Sequence, residues 1–280
     1  MKVVIFCGGL GLRLREASPR IPKPMIPIGN RPILIHLMKY YATHGHTDFI
    51  LCLGYKAEVF KEYFLNYNEA LVNDFVLSDG GQTVEVLQHD IAKWRITFLD
   101  TGLRATVGQR LKAVEAHLGD DEAFLANYGD GLTDVPLPEM ISQLAASGKT
   151  ASFLCVRPTY STHVVSLGQD DSVKRIDAMD QAGIWINGGF FVFRREIFNY
   201  LGEGEDLVEQ PFQRLISKEQ LLAHRYEGFW QPMDTLKDKQ NLETLFESGN
   251  PPWAIWERGR KPNTQQSHLP GTGRVAEIAV

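Results

Sequence analysis

The chain has 280 residues, 44% of them hydrophobic, and a formal charge of −5. That length can bury a substantial core, as one large domain or two small ones, and the acidic balance excludes a general nucleic-acid binder, which would carry a basic face. No apolar run approaches the ~18 residues of a membrane span, and MKVVIFCGG has too short an apolar core for a signal peptide, so a soluble, cytoplasmic protein is expected.

Residues 2–7 read as a buried strand, short, apolar and ended by Gly8 and Gly9. A helix follows over 31–44, with Ile33, Leu34, Leu37, Met38 and Tyr41 on one face and Asn30 as its N-cap. Phe49–Leu53 is a second strand and 57–67 a second helix. This alternation predicts a parallel sheet covered by helices. Residues 83–88 and 95–99 look like two hairpin strands. A helix over 108–118, a strand over 123–128, a helix over 138–147 and a strand over 150–156 come next. From 163 to 193 the pattern is β-rich. Helices are predicted over 207–217 and 235–247, and residues from Arg258 onward lack periodicity and form a polar tail. Cys7, Cys52 and Cys155 are far apart and odd in number; they are read as buried free thiols, which fits a reducing compartment. His44 and His46 flank Gly45 and are read as a surface turn rather than a metal pair.

In open α/β sheets ligands bind beyond the carboxyl ends of the strands. Three loops fall there: 8–25, 100–110 and 129–134. The first, GGLGLRLREASPRIPKPM, is rich in glycine and then strongly basic. Gly8-Gly9-Leu10-Gly11 could be a plain turn or a phosphate cradle, in which backbone N–H groups approach an anion closely. It is neither a dinucleotide fingerprint, because Leu14 stands where a third glycine is needed, nor a P-loop, because no Gly-Lys-Ser/Thr follows. Arg13 and Lys23 share this loop with Pro19, Pro22, Pro24 and Pro27. A polyphosphate needs positive groups held in fixed places, and that favours the cradle.

The motif Gly-Gly-x-Gly-x-Arg-Leu followed by Pro22-Lys23-Pro24-Met25 resembles the sugar-1-phosphate nucleotidyltransferases. Within them it is most similar to the glucose-1-phosphate cytidylyltransferases. The same likeness is carried by Asp100-Thr101-Gly102, Gly108-x-Arg110-Leu111-Lys112, Tyr128-Gly129-Asp130-Gly131, Ile186 to Val192, and Gly228 to Thr235, and it runs from residue 1 to about 257. It implies a nucleotide-diphospho-sugar transferase (Rossmann-like) fold: a mostly parallel central sheet with helices on both faces and a small β-rich acceptor-binding portion. One domain over 1–257 is expected, with a nucleotide half over about 1–135, an acceptor half over about 136–257, and a tail over 258–280.

The implied reaction transfers CMP from CTP to a sugar 1-phosphate, glucose 1-phosphate by resemblance, and releases pyrophosphate. Two anions must meet, so positioning and charge neutralisation carry the catalysis. A phosphate monoester oxygen is already deprotonated near pH 7, and none of the eight histidines falls in these motifs. By resemblance, Asp130 and Asp234 are ligands of Mg²⁺, a hard cation that prefers carboxylate and phosphate oxygens. Read alone, Asp130 could be a turn aspartate and Asp234 the N-cap of the helix near Leu236. The resemblance gives Arg13 and Lys23 the triphosphate. It gives Gly8, Gly9, Leu10, Gly11, Thr101, Gly102 and Arg110 contacts to the nucleotide, with Tyr128, Asn187 and Gly188 on the acceptor side. It also implies a homo-oligomer.

Three positions depart from the family pattern. Leu12 replaces a threonine. Ala178-Met179-Asp180 stands where Glu-Lys-Pro is usual, so the lysine that binds the sugar phosphate is missing. His163 stands where a glycine brings the strand close to the sugar. Lys174 or Arg175 is expected to supply the lost charge, and Met179→Lys to restore glucose 1-phosphate turnover. The alternatives are UTP or dTTP in place of CTP, a non-glucose phosphate or phosphonate acceptor, or a nucleotide-binding paralogue without turnover.

Overall fold

The computed structural model describes residues 1–9, 21–159 and 162–258. The chain begins with β1 (Val3–Phe6), and the segment after Lys23 forms a small hairpin of β2 (Pro27–Ile28) and β3 (Arg31–Pro32). Gly29, with φ +60°, and Asn30 make its turn. Asn30 is therefore spent in the hairpin, and helix α1 (Ile33–Thr43) starts after Pro32 without a side-chain cap, contrary to the sequence expectation. Strand β4 (Asp48–Leu53) and helix α2 (Ala57–Leu65) follow as the rhythm predicts.

The next segment differs from its reading. Strand β5 (Phe75–Ser78) pairs with β6 (Thr83–Val86), and β7 (Arg95–Asp100) joins the main sheet beside β4, in parallel. The hairpin closes locally through Asp79-Gly80-Gly81, so it needs no partner from 95–99. Asp90 ties this arm to α1, accepting from Arg31 at 2.6 Å and Lys39 at 2.8 Å, and that contact holds its carboxyl below the usual range against the effect of burial.

Helix α3 (Val107–Val114) is capped by a reciprocal pair, Thr106 and Gln109. Strand β8 (Ala123–Tyr128), the short β9 (Gly131–Thr133), helix α4 (Leu137–Ser147) and strand β10 (Ala151–Val156) come next. The β-rich region resolves into an antiparallel pair, β11 (His163–Leu167) with β12 (Val173–Ala178), and into β13 (Ile186–Asn187) and β14 (Phe191–Arg194) in the main sheet. Helix α5 (Gln210–Ser217) leads into β15 (Leu221–Tyr226), which pairs in parallel along β10 and has no counterpart in the sequence reading. Strand β16 (Trp230–Pro232) pairs with β9, and α6 (Leu236–Glu247) is capped by Thr235 and Asp238. Thr235, not Asp234, is the cap.

Strands β7, β4, β1 and β8 run parallel; β14 pairs antiparallel with β8, and β10 pairs antiparallel with β14, so that β10 points the same way as β8. Alternation along β1 builds both faces. Val3 and Ile5 pack with α1 residues such as Leu34 and Met38, while Val4 and Phe6 pack with Leu111 of α3 and Leu215 of α5. Both faces are thus covered by helices. Cys7 and Cys52 are buried free thiols as expected, whereas Cys155 is only half-buried. No helix among the described residues is long and apolar enough to cross a membrane.

Candidate active site

The carboxyl ends of β1 and β8 open into a cavity of about 510 Å³. Gly8 and Gly9 line it from β1, Tyr128 and Asp130 from β8, Asn187 and Gly188 from β13, and Asp234 from the turn after β16. Lys23 completes it. Its ammonium lies 2.5 Å from Asp130 Oδ2 and 2.5 Å from Asp234 Oδ1. Burial disfavours this charge, but the attraction of Asp130 and then Asp234 prevails and raises the Lys23 pKa above its ordinary value.

Two carboxylates 104 positions apart (234 less 130) thus converge on one cation. The short pairing of β9 with β16 does this. Gly131 stands opposite Pro232, and Met233 N donates to Asp130 O at 2.9 Å, so Asp130 and Asp234 are carried to the same place. Because Thr235 and Asp238 cap α6 between themselves, the Asp234 side chain is free to face the cavity. The donor set is hard and anionic, suited to a divalent cation completed by water and phosphate oxygens. Among the described residues no group of three or more His, Cys, Asp or Glu side chains forms a self-sufficient metal cage.

Arg110 borders the cavity but is not aimed at it. Its guanidinium donates to Leu53 O at 3.0 Å, Thr101 Oγ1 at 2.6 Å and Gly8 O at 3.1 Å. It therefore laces together the ends of β4, β7 and β1. A Cβ at Gly8 would sit 2.0 Å from the guanidinium, so a side chain there would push Arg110 out of these bonds. Thr101 Oγ1 also donates to Leu53 O at 2.7 Å, and Gly102 N donates to Asp100. Neither Thr101 nor Gly102 lines the cavity. Thr101 and Gly102, expected to touch nucleotide, stand one layer behind the cradle, and Arg110, expected to do the same, lines it with these donors turned to the chain's own acceptors. Leu10, Gly11, Leu12 and Arg13 lie outside the described residues, as does the tail from 259 onward.

Burial, with the carboxylates of Asp206 and Asp130, pushes the Tyr128 phenol up to about 12, so it stays a hydroxyl donor. Cys7 also borders the cavity, but burial raises its thiol pKa well above the ordinary value, which leaves it unreactive.

A second cavity of about 530 Å³ adjoins the first, and Trp230 walls both. Trp230 Nε1 donates to Gly188 O at 2.8 Å, fixing the shared wall. His163, exposed on β11, and Ala178 and Asp180 at the end of β12 line this second cavity. Met179 does not; its backbone N donates to Thr162 O at 3.1 Å. Lys174 and Arg175 sit toward the other end of β12 and line neither cavity, and the Arg175 guanidinium is taken by Asp177 at 2.5 Å. The expectation that they replace the missing lysine is corrected by this register, which puts Ala178, not Lys174 or Arg175, opposite His163. The cation that does line the cavity is Arg157, just past β10. Sequence reasoning passed over it, although an arginine directly after a predicted core strand was the signal.

A family model for nucleotidyl transferases matches residues 2–238. The chain is 42% identical over 260 residues to a glucose-1-phosphate cytidylyltransferase of Salmonella typhi, an alignment covering 92% of this chain and 100% of that protein. Among solved structures, HddC from Yersinia pseudotuberculosis superposes with a TM-score of 0.60 at 19% identity, over 88% of this chain and 99% of that one. A UDP-glucose pyrophosphorylase complexed with UDP-glucose gives 0.64 at 14% identity, over 89% and 99%. At these identities the two structures speak for the fold.

Proposed function

The chain belongs to the nucleotidyl transferase family, and from that premise we propose that it transfers CMP from CTP to a sugar 1-phosphate, giving a CDP-sugar and pyrophosphate. The observation that carries this reading is the convergence of Asp130, Asp234 and Lys23 at the mouth of a glycine-edged cavity. The cytidine and glucose 1-phosphate parts rest on the relative from Salmonella typhi.

An oxygen of the acceptor monoester forms a bond to the α-phosphorus, the bridge to the β-phosphate breaks, and pyrophosphate leaves with the electron pair. The attacking oxygen brings no proton to remove, so no residue serves as a general base. Gly8 and Gly9 let phosphate approach the backbone closely. Lys23 supplies charge against the triphosphate, and Arg110 keeps the cradle in place. Asp130 and Asp234 would hold Mg²⁺, which when bound supplies positive charge at the α-phosphate. Tyr128 and Asn187, with the Gly188 backbone, face the acceptor.

The nucleotide half, about 1–135, and the acceptor half, about 136–257, then divide the labour rather than the fold, since Asp234 belongs to the first cavity. The free thiols of Cys7, Cys52 and Cys155 support a cytoplasmic location. Exposed apolar residues on two arms, Leu77 and Val84 on one and Leu167 and Ile176 on the other, support a homo-oligomer.

Pyrophosphate release tests the reading, with CTP, UTP and dTTP each offered against glucose 1-phosphate and magnesium. CTP should be preferred at least tenfold; equal use of all three contradicts the cytidine assignment, and no release with any contradicts the reaction.

A further inference from the structure

Resting on the nucleotidyl-transfer reading, we infer that Arg157, stacked on Trp185, is the residue that anchors the phosphate of the acceptor at the junction of the two cavities. An acceptor that attacks a triphosphate brings its own negative charge, and a partly dry site must answer it with a fixed cation. In the first cavity the described cations are already assigned, Lys23 to the triphosphate and Arg110 to the chain's own acceptors. Lys23 is held by two carboxylates at 2.5 Å each, and Arg110 spends its donors on Leu53, Thr101 and Gly8.

In the second cavity Arg157 and His163 are the basic residues among the described lining. The Arg157 guanidinium carbon lies 4.0 Å from the centre of the Trp185 ring, and Arg225 stands 5.6 Å from the same ring. Stacking fixes the plane of a guanidinium and leaves its edge donors in reach of an anion. Its polar partners are weak: Ile184 O at 3.4 Å and the largely exposed Glu227 at 3.9 Å. The side chain is 33% exposed, neither buried against a partner nor loose in solvent.

The position is set by the sheet. Cys155 pairs with Asn187 and Val156 with Ile186, so Arg157 leaves β10 beside Trp185, which is two residues from Asn187 and three from Gly188, both lining the first cavity. Trp230 then stands between Arg157 and the Lys23 cluster as the common wall. Asp180 and Glu227, which also line the second cavity, are suited to accept from sugar hydroxyls. A phosphate at the junction and a polyol beyond it fit this distribution of charge.

Equilibrium titration of the full chain with α-D-glucose 1-phosphate tests the assignment, with glucose and CTP–magnesium titrated alongside. Arg157→Gln should weaken glucose 1-phosphate at least tenfold, Arg157→Lys should recover part of the loss, and CTP affinity should stay within twofold for both. Trp185→Leu should weaken the phosphate three- to tenfold by freeing the guanidinium. Unchanged thermal midpoints show that the variants are folded. Glucose 1-phosphate affinity retained within twofold in Arg157→Gln overturns the inference, as does a wild-type protein that binds glucose as tightly as its phosphate or binds neither. Pyrophosphate release by the wild-type protein is scored separately. Its failure would count against nucleotidyl transfer while an Arg157-dependent phosphate site still stood, and its success with an indifferent Arg157→Gln would do the reverse.

Discussion

The two cavities share Trp230 but are built on opposite terms. In the first, the described cations are held by fixed partners: Lys23 by Asp130 and Asp234, Arg110 by three neutral acceptors at the ends of β1, β4 and β7. In the second, Arg157 leans on an aromatic ring and keeps weak polar partners, while one wall comes from a two-stranded arm standing off the main sheet. A preorganised constellation suits the part of a reaction that never changes, and an underused cation beside an exposed arm suits the part that varies with the acceptor.

The comparison can be broken hardest at Arg110. Arg110→Met leaves Gly8 O and Thr101 Oγ1 without that donor, while Leu53 O keeps the bonds from Thr101, at a cost of roughly 4 kcal/mol in stability. It should lower CTP affinity at least tenfold while acceptor binding changes less than twofold; equal losses at both cavities would contradict their separate construction.

Next in size is acidification. His36 Nε2–H donates to Ile28 O at 3.0 Å and its Nδ1 accepts from Trp253 at 3.3 Å, so the ring is held neutral. Burial is the main reason its pKa falls to about 4. Below the ordinary value of 6.5 the unfolded chain takes up a proton that the folded chain refuses until about 4. Stability is therefore whole above about 6.5 and is lost as pH falls through that window, by roughly 3 kcal/mol at the bottom. His46, pushed to about 4 chiefly by burial, adds in the same direction. Because Ile28 follows the Lys23 turn, CTP binding should weaken before acceptor binding does. Urea midpoints measured from pH 7 to 4 check this, and a flat profile, or one unaltered by His36→Met, speaks against it.

The unequal legibility of the two cavities in the sequence has the same physical origin. Gly8 and Asp130 follow strands that periodicity placed, whereas Lys23 and Asp234 were legible only in the motifs that carry the family resemblance. What periodicity could not give was direction. Arg110 falls in the stretch read as a strand-end loop, but it sits on α3, and the carbonyls of Gly8 and Leu53 converge on its guanidinium. Residues 95–99 alternate like a hairpin strand, but Asp79-Gly80-Gly81 had already closed the hairpin. Arg157 was legible only as an arginine after a strand, and its stacking partner comes from a loop 28 positions on. Lys174 and Arg175 are close in sequence to the position of the missing lysine, and the β11–β12 register keeps them out of the cavity that Arg157 lines.

Smaller effects sharpen the boundary. Trp230→Phe removes the bond to Gly188 O and should cost about 1 kcal/mol. Because that wall is common, KM for CTP and for the acceptor should both rise, by two- to fivefold; a change confined to one substrate would contradict a shared wall. Smallest is Met179→Lys. Met179 lines neither cavity, so glucose 1-phosphate turnover should not rise, contrary to the expectation from the family pattern, whereas a clear gain would place position 179 in the acceptor site.

The convergence of Asp130 and Asp234 on one cation is tested most directly by CTP-dependent pyrophosphate release in Asp130→Asn, Asp234→Asn and the double variant. Each single change should lower kcat/KM at least 100-fold, and the double should lose little more than either alone, as groups acting as one unit do. Near-normal turnover in either single variant, or two losses that simply multiply, would contradict the account.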